Sequence, residues 1–424
     1  MPENKQVRGQ EKDPDWRKKE ESYREIVKKY PDVSPFIITQ IDVQRRGIFY
    51  TDAALERVNP AIHQVKRPRF AVYEGRGVPT SLLQRDGTSI ISSETSTQTR
   101  RDPYTVDVVD GKTVLTDEGD VIEEVEYWEK PQFFDKNTSR GTPMSHVMDA
   151  RPQRYSIYMS HYCHFWSTPG NGCKYCGIGA GGVKDKDKDG GRFHPQDLRE
   201  TMQEVVREKK GRFVGLLLGG GSILSGAEPF DDELEGYIAA LKIVGEVFET
   251  RRFPCQVNST ALTRKQLERL YNETGITSYT TDLEVFDEEI YKWVCPGKSA
   301  AIPYAEYKRR LYDAVEIFGK GQVNTGIVSG VELATPHGFK SEEEALKKNF
   351  EQAEELTAHG VGLKHDIWNI VPGSIFFNQS NPSLDYYVRL TKGFYEIMQK
   401  AGIPTYMDNY RKCGMHPDIN LDRV

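Results

Sequence analysis

Strand-like and helix-like segments alternate six times in this sequence from residue 151 onward. Each strand-like run is followed by helix signals such as helical spacing of apolar residues or a capping box. Because parallel strands joined by helices build one sheet, six such units predict a parallel sheet curled into a partial barrel. The predicted strands are Arg154–Met159, Phe213–Leu218, Gln256–Thr260, Thr277–Leu283, Gln322–Val328 and Val361–Ile370.

Three regions are expected along the chain. Residues 151–375 form the α/β part, a (β/α)6 TIM-like partial barrel, and residues 376–424 form a C-terminal helix and tail. Residues 1–150 are rich in charge, Thr, Pro and Arg, with a helical pattern near Ser22–Tyr30. Two alternating segments joined at Asp110-Gly111 predict a hairpin there. The first region is therefore interpreted as irregular and partly β, an accessory region that covers the barrel mouth or supplies substrate contacts.

Composition excludes several classes of partner. The 424 residues carry 57 basic and 63 acidic side chains, a formal charge of -6, which gives no electrostatic reason to expect nucleic acid. The charged N-terminus lacks the apolar stretch of a signal peptide, and no run of 18 apolar residues exists. These features predict a cytoplasmic protein with no membrane partner. Six cysteines in a chain of this length are too few for a disulfide framework, and clustered cysteines then point to metal or chemistry.

Three of the cysteines are clustered in a loop directly after the first predicted barrel strand. Cys163, Cys173 and Cys176 are spaced C-x9-C-x2-C. Two residues between cysteines let one turn point both sulfurs at one metal or iron–sulfur cluster, and three protein ligands would leave one iron open. Two alternatives remain from the residues alone: a zinc site completed by His161 or His164, or buried thiols without a metal.

This loop resembles that of the radical S-adenosylmethionine superfamily. Members place three cysteines after the first strand of a (β/α)6 or (β/α)8 barrel, and an aromatic residue, here Tyr175, commonly precedes the last one. The usual spacing is C-x3-C-x2-C, so the nine residues between Cys163 and Cys173 depart from it. The resemblance implies a [4Fe-4S] cluster on the three cysteines and S-adenosylmethionine as cofactor.

Further segments resemble cofactor-binding motifs of the superfamily in the expected order, nearest in style to the biotin synthase, hydrogenase maturase and methylornithine synthase branch. A glycine triplet ends the second strand, although such triplets are also ordinary loops. A glutamate follows the fourth strand, where it could instead be a carboxylate favoured by a helix N-terminus. A Gly-x-Glu sequence follows the fifth strand. The resemblance implies cofactor contacts by Gly219, Gly220, Gly221, Ser222, Asn258, Glu284, Gly330, Glu332 and Tyr175.

The resemblance also implies the chemistry. An electron delivered to the cluster, by a donor such as flavodoxin or ferredoxin, cleaves S-adenosylmethionine to methionine and a 5′-deoxyadenosyl radical. That radical takes hydrogen from a small-molecule substrate, and the exposed cluster is oxygen-sensitive. With no cysteines grouped for a second cluster, rearrangement, lyase, epimerase or methyl-group chemistry is favoured over sulfur insertion. The rival class is a non-catalytic zinc protein or iron–sulfur electron-transfer protein.

The remaining candidates carry weaker signals. Cys255 and Cys295 are interpreted as buried, inert thiols. Cys413, in the C-terminal tail, could return a hydrogen atom to a product radical or be an ordinary surface thiol. Polar and aromatic residues near the ends of strands five and six are predicted substrate contacts, each as compatible with simple packing: His337, His365, Trp368 and Asn369.

Overall fold

The computed structural model describes residues 13–66, 76–91, 100–160, 162–178, 194–208, 215–371, 373–404 and 414–423. Within them the chain forms a small N-terminal sheet followed by a large parallel sheet whose strands alternate with helices. The predicted α/β partial barrel is confirmed.

The N-terminal sheet has six strands in the order β1-β6-β7-β8-β4-β5, and β2 and β3 form a separate pair. Strands β6 and β7 form the predicted hairpin, with Asp110 and Gly111 at positive φ in the turn. The strands are β1 Ile48–Tyr50, β2 Val65–Lys66, β3 Val78–Pro79, β4 Ser81–Gln84, β5 Ser89–Ile91, β6 Tyr104–Val109, β7 Lys112–Asp117 and β8 Asp120–Tyr127. The helices of this part are α1 Trp16–Lys19, α2 Tyr23–Lys29, α3 Pro35–Arg46, α4 Asp52–Glu56 and α5 Met144–Val147.

The large sheet runs in the order β15-β14-β13-β12-β11-β10-β9, and its six strands from β10 to β15 are parallel. Strand β9 pairs antiparallel at one edge. The strands are β9 Asp149–Arg151, β10 Arg154–Ser160, β11 Leu216–Gly220, β12 Phe253–Asn258, β13 Ile276–Thr280, β14 Val323–Ser329 and β15 Gly362–Ile367. The helices are α6 His164–Ser167, α7 Pro195–Val206, α8 Asp231–Gly245, α9 Arg264–Glu273, α10 Glu288–Val294, α11 Pro296–Ala301, α12 Tyr304–Phe318, α13 Glu342–Ala358 and α14 Leu384–Lys400.

The sequence signals located these elements well, and the differences have local causes. The capping box expected from Thr263 and Gln266 forms, and the helix near Ser22 also begins with a capping box. The segment before Phe318 forms three helices, α10, α11 and α12, because Pro296 and Pro303 lack the amide hydrogen that a continuous helix needs. Helix α11 begins with Pro296 at its first position, where the missing amide hydrogen does no harm.

Two hydrophobic cores stabilise the molecule. The larger lies between the parallel sheet and its helices, and it includes Ile37, Ile38 and Ile41 of α3 from the N-terminal region. The smaller lies under the N-terminal sheet and includes Tyr104 and Leu115. Helix α3 contributes to both cores, because Val43 near its end belongs to the smaller one. This helix therefore attaches the N-terminal sheet to the barrel beside α14.

Candidate functional site

A cavity of about 530 Å³ opens where the first four parallel strands end. The C-terminal ends of parallel strands are where ligands bind in barrels of this kind. Ten of the twelve residues predicted to bind the cluster or the cofactor line it. We call it the first cavity; its lining includes Ser160, Cys163, Cys173, Tyr175, Cys176, Gly219, Gly220, Gly221, Ser222, Asn258, Ser259, Thr260, Asp282, Glu284 and Lys298.

The cysteine loop reaches this cavity despite its long spacing. The residues between Cys163 and Cys173 form the short helix α6 and a turn with Gly170 at φ 83°. Gly172 packs so closely on Trp166 that a Cβ there would lie 2.5 Å from the indole ring. Cys176 then donates its backbone N–H to Cys173 O at 3.0 Å, which closes the turn between the last two cysteines. The nine residues are thus folded compactly, and all three thiols line one cavity.

Helices α10 and α11 hold the loop from the other side. Lys174 donates its backbone N–H to Val294 O at 2.9 Å, and Gly297 donates to Asn171 O at 3.0 Å. A Cβ at Gly297 would lie 2.6 Å from that same carbonyl oxygen. The loop is therefore fixed by backbone contacts with the segment around Cys295.

Burial and neighbouring groups give the three thiols different proton affinities. Burial raises the pKa of Cys163, and it raises the pKa of Cys176 to about 12. A hydrogen bond with the Cys295 thiol lowers the pKa of Cys173, and the Lys298 ammonium contributes in the same direction. Cys295 is fully buried and is not among the residues that line the first cavity. Cys173 is thus the thiol whose surroundings most favour the thiolate, the form that binds metal.

The donor set is compatible with an iron–sulfur cluster. Among the described residues, no group of three or more His, Cys, Asp or Glu side chains is arranged to hold a metal ion. A cubic cluster requires a wider arrangement of ligands than a single ion, because each thiolate binds a different iron and the ligands surround the cluster. Three thiols around one cavity are compatible with that arrangement. His164 is not among the residues that line the cavity, and His161 lies outside the described residues.

The glycine triplet allows the second strand to approach the cysteine loop closely. A Cβ at Gly221 would lie 2.1 Å from Tyr162 O and 2.8 Å from Cys163 Cβ. A Cβ at Gly220 would lie 2.8 Å from Ser160 N. Larger residues would push the loop away, so glycine is a steric requirement at these two positions.

Glu233 of α8 supports the residues around Ser222, and no sequence motif pointed to it. Its carboxylate accepts from the backbone N–H groups of Ile223 at 2.8 Å and Thr260 at 3.0 Å. Thr260 in turn contacts the Ser222 hydroxyl at 2.7 Å. Burial raises the pKa of Glu233 to about 7. A titratable group thus lies directly behind Ser222.

Glu284 extends from the end of the fourth strand into the first cavity. The residue has φ 72°, and its backbone pairs with β14, donating to Gly326 O and accepting from Val328 N–H. Lys298 donates to Glu284 Oε1 at 2.7 Å and to Asp282 O at 2.6 Å. Burial raises the pKa of Glu284 against the opposing effect of this ammonium. Lys298 was not predicted, because 14 residues separate the two partners and no local pattern links them.

A second ion pair lies beside this one. Lys364 Nζ is 3.1 Å from Asp282 Oδ1, and Asn258 donates to Asp282 Oδ2 at 3.1 Å. The predicted cofactor residue Asn258 is thus held by Asp282. We call Asp282, Glu284, Lys298 and Lys364 the mouth network.

Other predicted residues lie apart from the first cavity. The buried Glu332 carboxylate accepts from Gly330 N–H at 2.6 Å, Asn349 at 2.9 Å and the Tyr386 hydroxyl. A Cβ at Gly330 would lie 2.6 Å from the Tyr387 hydroxyl, so this pair packs against α13 and α14.

The predicted substrate residues separate into two groups. His337 packs edge-on against Trp293, and buried His365 lies 3.0 Å from both Ser329 and Thr391. Burial lowers the pKa of His365 to about 3. Trp368 and Asn369 line another cavity, described below, and Cys413 lies outside the described residues.

No protein-family model matches the chain. A curated relative, the bacteriochlorophyllide c C-7(1)-hydroxylase of Chlorobaculum limnaeum, is 29% identical over 129 residues, which is 30% of this chain and 29% of the hydroxylase. The chain thus matches less than a third of that relative's length. None of the helices in the described part of the chain has the length and apolar character needed to cross a bilayer.

Three solved structures resemble the fold at low similarity. HydG, a maturase of the [FeFe]-hydrogenase, is 17% identical with a TM-score of 0.43, covering 57% of this chain and 49% of HydG. Methylornithine synthase PylB is 15% identical with a TM-score of 0.40, and the match covers 61% of this chain and 72% of PylB. A radical SAM methyltransferase from Sphaerobacter thermophilus is 17% identical with a TM-score of 0.40, and the match covers 73% of this chain and 78% of the methyltransferase.

Proposed function

We propose that this chain, a radical S-adenosylmethionine superfamily enzyme by its motifs and its partial (β/α)6 barrel, binds a [4Fe-4S] cluster through Cys163, Cys173 and Cys176. It would use S-adenosylmethionine to remove a hydrogen atom from a small-molecule substrate. The observation that carries the proposal is that these three thiols line one cavity together with the glycine triplet and Glu284.

The cluster with its cofactor and the protein residues would have different roles. When bound, the cluster and S-adenosylmethionine supply one-electron cleavage and a hydrogen-abstracting radical, which no side chain can supply. Three thiolates would leave one iron of the cluster without a protein ligand, and the resemblance implies that the cofactor would bind there. Gly220 and Gly221 let the backbone approach the cavity without a Cβ in the way.

Glu284 and Lys298 would orient the cofactor. A carboxylate at the cavity wall can accept from a ribose hydroxyl or from the methionine ammonium, and charge-assisted hydrogen bonds of this kind are the strong ones. Lys298 favours the ionised form of Glu284 and fixes one of its oxygens. Asn258 and Tyr175 lie on the same wall as further contacts.

The step after hydrogen removal fits chemistry that needs no second cluster. Of the other described cysteines, Cys255 and Cys295 are both buried, and neither lines the first cavity. Rearrangement, lyase, epimerase or methyl-group chemistry is therefore proposed over sulfur insertion. Cys413 remains the candidate hydrogen donor. A cytoplasmic location and an electron donor such as flavodoxin or ferredoxin belong to the same proposal.

Cys295 supports a second candidate function. Its thiol is hydrogen-bonded to that of Cys173, so a fourth thiolate is close to the loop. A site closed by four cysteines would hold structural zinc or an electron-transfer cluster and would leave no open iron. The two candidates differ in whether Cys295 is a ligand.

Anaerobic reconstitution tests the function. The proposed enzyme is brown, contains about four irons per chain as a [4Fe-4S] cluster does, and releases methionine and 5′-deoxyadenosine from S-adenosylmethionine when a reductant is added. Exposure to air should bleach it. A colourless zinc protein, or an iron protein that leaves S-adenosylmethionine intact, rejects the proposal.

A further inference from the structure

A second cavity, of about 320 Å³, lies beside the first. Tyr175 and Cys176 line both cavities, so the two meet at the cysteine loop. The volume falls at the lower end of the roughly 300–1,000 Å³ typical of small-molecule sites. A molecule in the second cavity would therefore lie next to the cofactor proposed for the first.

The wall of the second cavity is mainly apolar. Carbon-rich side chains come from strand ends of the barrel, from the N-terminal sheet and from the C-terminal segment. Burying a charged molecule against such a wall costs free energy that a few hydrogen bonds would only partly offset. The apolar side chains are Ile91, Val328, Ile367, Trp368, Val371 and Met415.

The carboxylate in the lining lies beside basic side chains of the protein. Asp366 Oδ1 lies 3.2 Å from His416 Nδ1. Although burial opposes it, the charges of His416, Lys364 and Arg154 hold the pKa of Asp366 well below its ordinary value. The protein's own basic groups thus already stabilise the ionised form of Asp366.

Trp368 supplies a hydrogen-bond donor that lacks an acceptor. Its side chain is 1% exposed, and within the described part of the chain its indole N–H has no hydrogen-bond partner. A buried donor left without an acceptor costs about 1–3 kcal/mol. An acceptor on a bound molecule would remove that cost.

Three distant parts of the chain close this cavity together. Gln44 of α3 donates to Gly414 O at 2.5 Å, and both residues line the cavity with Ile91 of β5. The N-terminal region and the C-terminal segment are thus joined over the barrel mouth. The site includes residues that a barrel alone would not supply.

We propose that the second cavity is the substrate site, and that the substrate is an uncharged, mainly apolar small molecule with one hydrogen-bond acceptor for the Trp368 N–H. This inference rests on the proposed function and adds the substrate class to it. Trp368 and Asn369 then belong to the substrate site, whereas His337 and His365 do not.

Matched bicyclic probes test the class by direct binding to the reconstituted protein, measured by ligand-observed NMR titration. Quinoline has a ring-nitrogen acceptor, naphthalene has the same shape without one, and 2-naphthoate carries a charge. Quinoline should bind about fivefold more tightly than naphthalene, since a neutral hydrogen bond contributes about 1 kcal/mol. Binding of 2-naphthoate should be the weakest of the three. Equal affinity for quinoline and naphthalene, or preferred binding of 2-naphthoate, overturns the inference.

Variants locate the binding. Trp368→Phe should reduce the quinoline preference to about one, and Val328→Phe should remove binding of both neutral probes by filling the cavity. Val121→Phe, on an exposed position of β8, is the control that should change neither affinity. If quinoline still binds to Val328→Phe, the inference is wrong.

Cleavage of S-adenosylmethionine is measured separately on the same wild-type preparation. Cleavage without the expected probe preference overturns only this inference. Absence of iron and of cleavage overturns the proposed function itself.

Discussion

Two buried networks of charged side chains differ in what surrounds them. One joins α3 to the N-terminal sheet through Asp42, Arg45, Arg46 and Asp117, and we call it the anchor network. Asp42 accepts from Arg45 at 2.8 Å, from Arg46 at 3.2 Å and from the Tyr104 hydroxyl at 2.6 Å. The mouth network has the same kinds of charge, but its members Asp282, Glu284 and Lys298 line the first cavity. Buried charge alone therefore does not identify a site; the adjacent cavity does.

The proton affinities of the two regions also differ. Burial opposes ionisation of Asp42, but Arg45 and Arg46 lower its pKa to about 2. At the barrel mouth, burial raises the pKa of Glu233 to about 7 and also raises that of Glu284. The charge of Asp42 in the anchor network is thus compensated for stability, whereas Glu233 and Glu284 keep an affinity for protons or ligand donors. Perturbed pKa values of this second kind are common at functional sites.

The largest expected effect is loss of the cluster. Cys163→Ala, Cys173→Ala and Cys176→Ala should each abolish iron binding and cleavage of S-adenosylmethionine, because a cluster with two protein ligands is not retained. Iron analysis after anaerobic reconstitution checks this. Cys295→Ser is the matched control and should keep about four irons, the content of a [4Fe-4S] cluster. Loss of iron from this control would favour the four-cysteine site.

The next effect separates stability from function. Asp42→Ala should lower the free energy of unfolding by about 3–5 kcal/mol, because it leaves two buried guanidinium groups short of a counter-charge. Urea denaturation measures the loss. Protein that stays folded at low temperature should still bind iron. A change below about 1 kcal/mol, the level of an exposed pair, would show that the anchor network is not structural.

A smaller effect is expected in the mouth network. Glu284→Gln should weaken S-adenosylmethionine binding by about tenfold to a hundredfold, since a hydrogen bond to a charged group is worth about 1.5–3 kcal/mol. Equilibrium binding to the reconstituted protein measures it. Glu342→Gln, whose carboxylate accepts from Ser383 away from the cavity, is the control. Equal affinities for the wild type and Glu284→Gln would exclude a cofactor role.

The smallest expected effect is a pH dependence of the unfolding free energy that comes from Glu233. The pKa of Glu233 is raised in the folded state, so its contribution to stability is full below the unfolded value and is lost as pH rises through about 7. Relative to Glu233→Gln, the wild type should lose about 1–3 kcal/mol of unfolding free energy between pH 5 and pH 8. Urea denaturation at both pH values measures the difference. If the unfolding free energies of the wild type and Glu233→Gln change in parallel with pH, this prediction is wrong.

The fold and part of the site could be predicted from the sequence because the patterns that indicate them involve residues close together in the chain. Helix caps, the Asp110-Gly111 turn and the alternation of strands and helices depend on neighbouring residues. The cysteine loop and the glycine triplet are likewise continuous motifs. The structure brings both to the first cavity, as the motif order predicts for strands in one parallel sheet.

Other site residues depend on distant contacts. Lys298 pairs with Glu284 across two helices, and Glu233 reaches Thr260 from α8. A Gly-x-Glu sequence after a strand looks the same whether its glutamate faces a cavity or, like Glu332, faces α13 and α14. The second cavity needs Ile91 and Met415, more than 300 residues apart in the sequence, so no local pattern predicts it.

The central claim is that three thiolates hold the cluster and one iron stays open to S-adenosylmethionine. Electron paramagnetic resonance of the reduced, reconstituted protein tests it most directly. The spectrum of the cluster should change when S-adenosylmethionine is added, because the cofactor becomes a ligand of that iron. An unchanged spectrum at saturating S-adenosylmethionine would contradict the account.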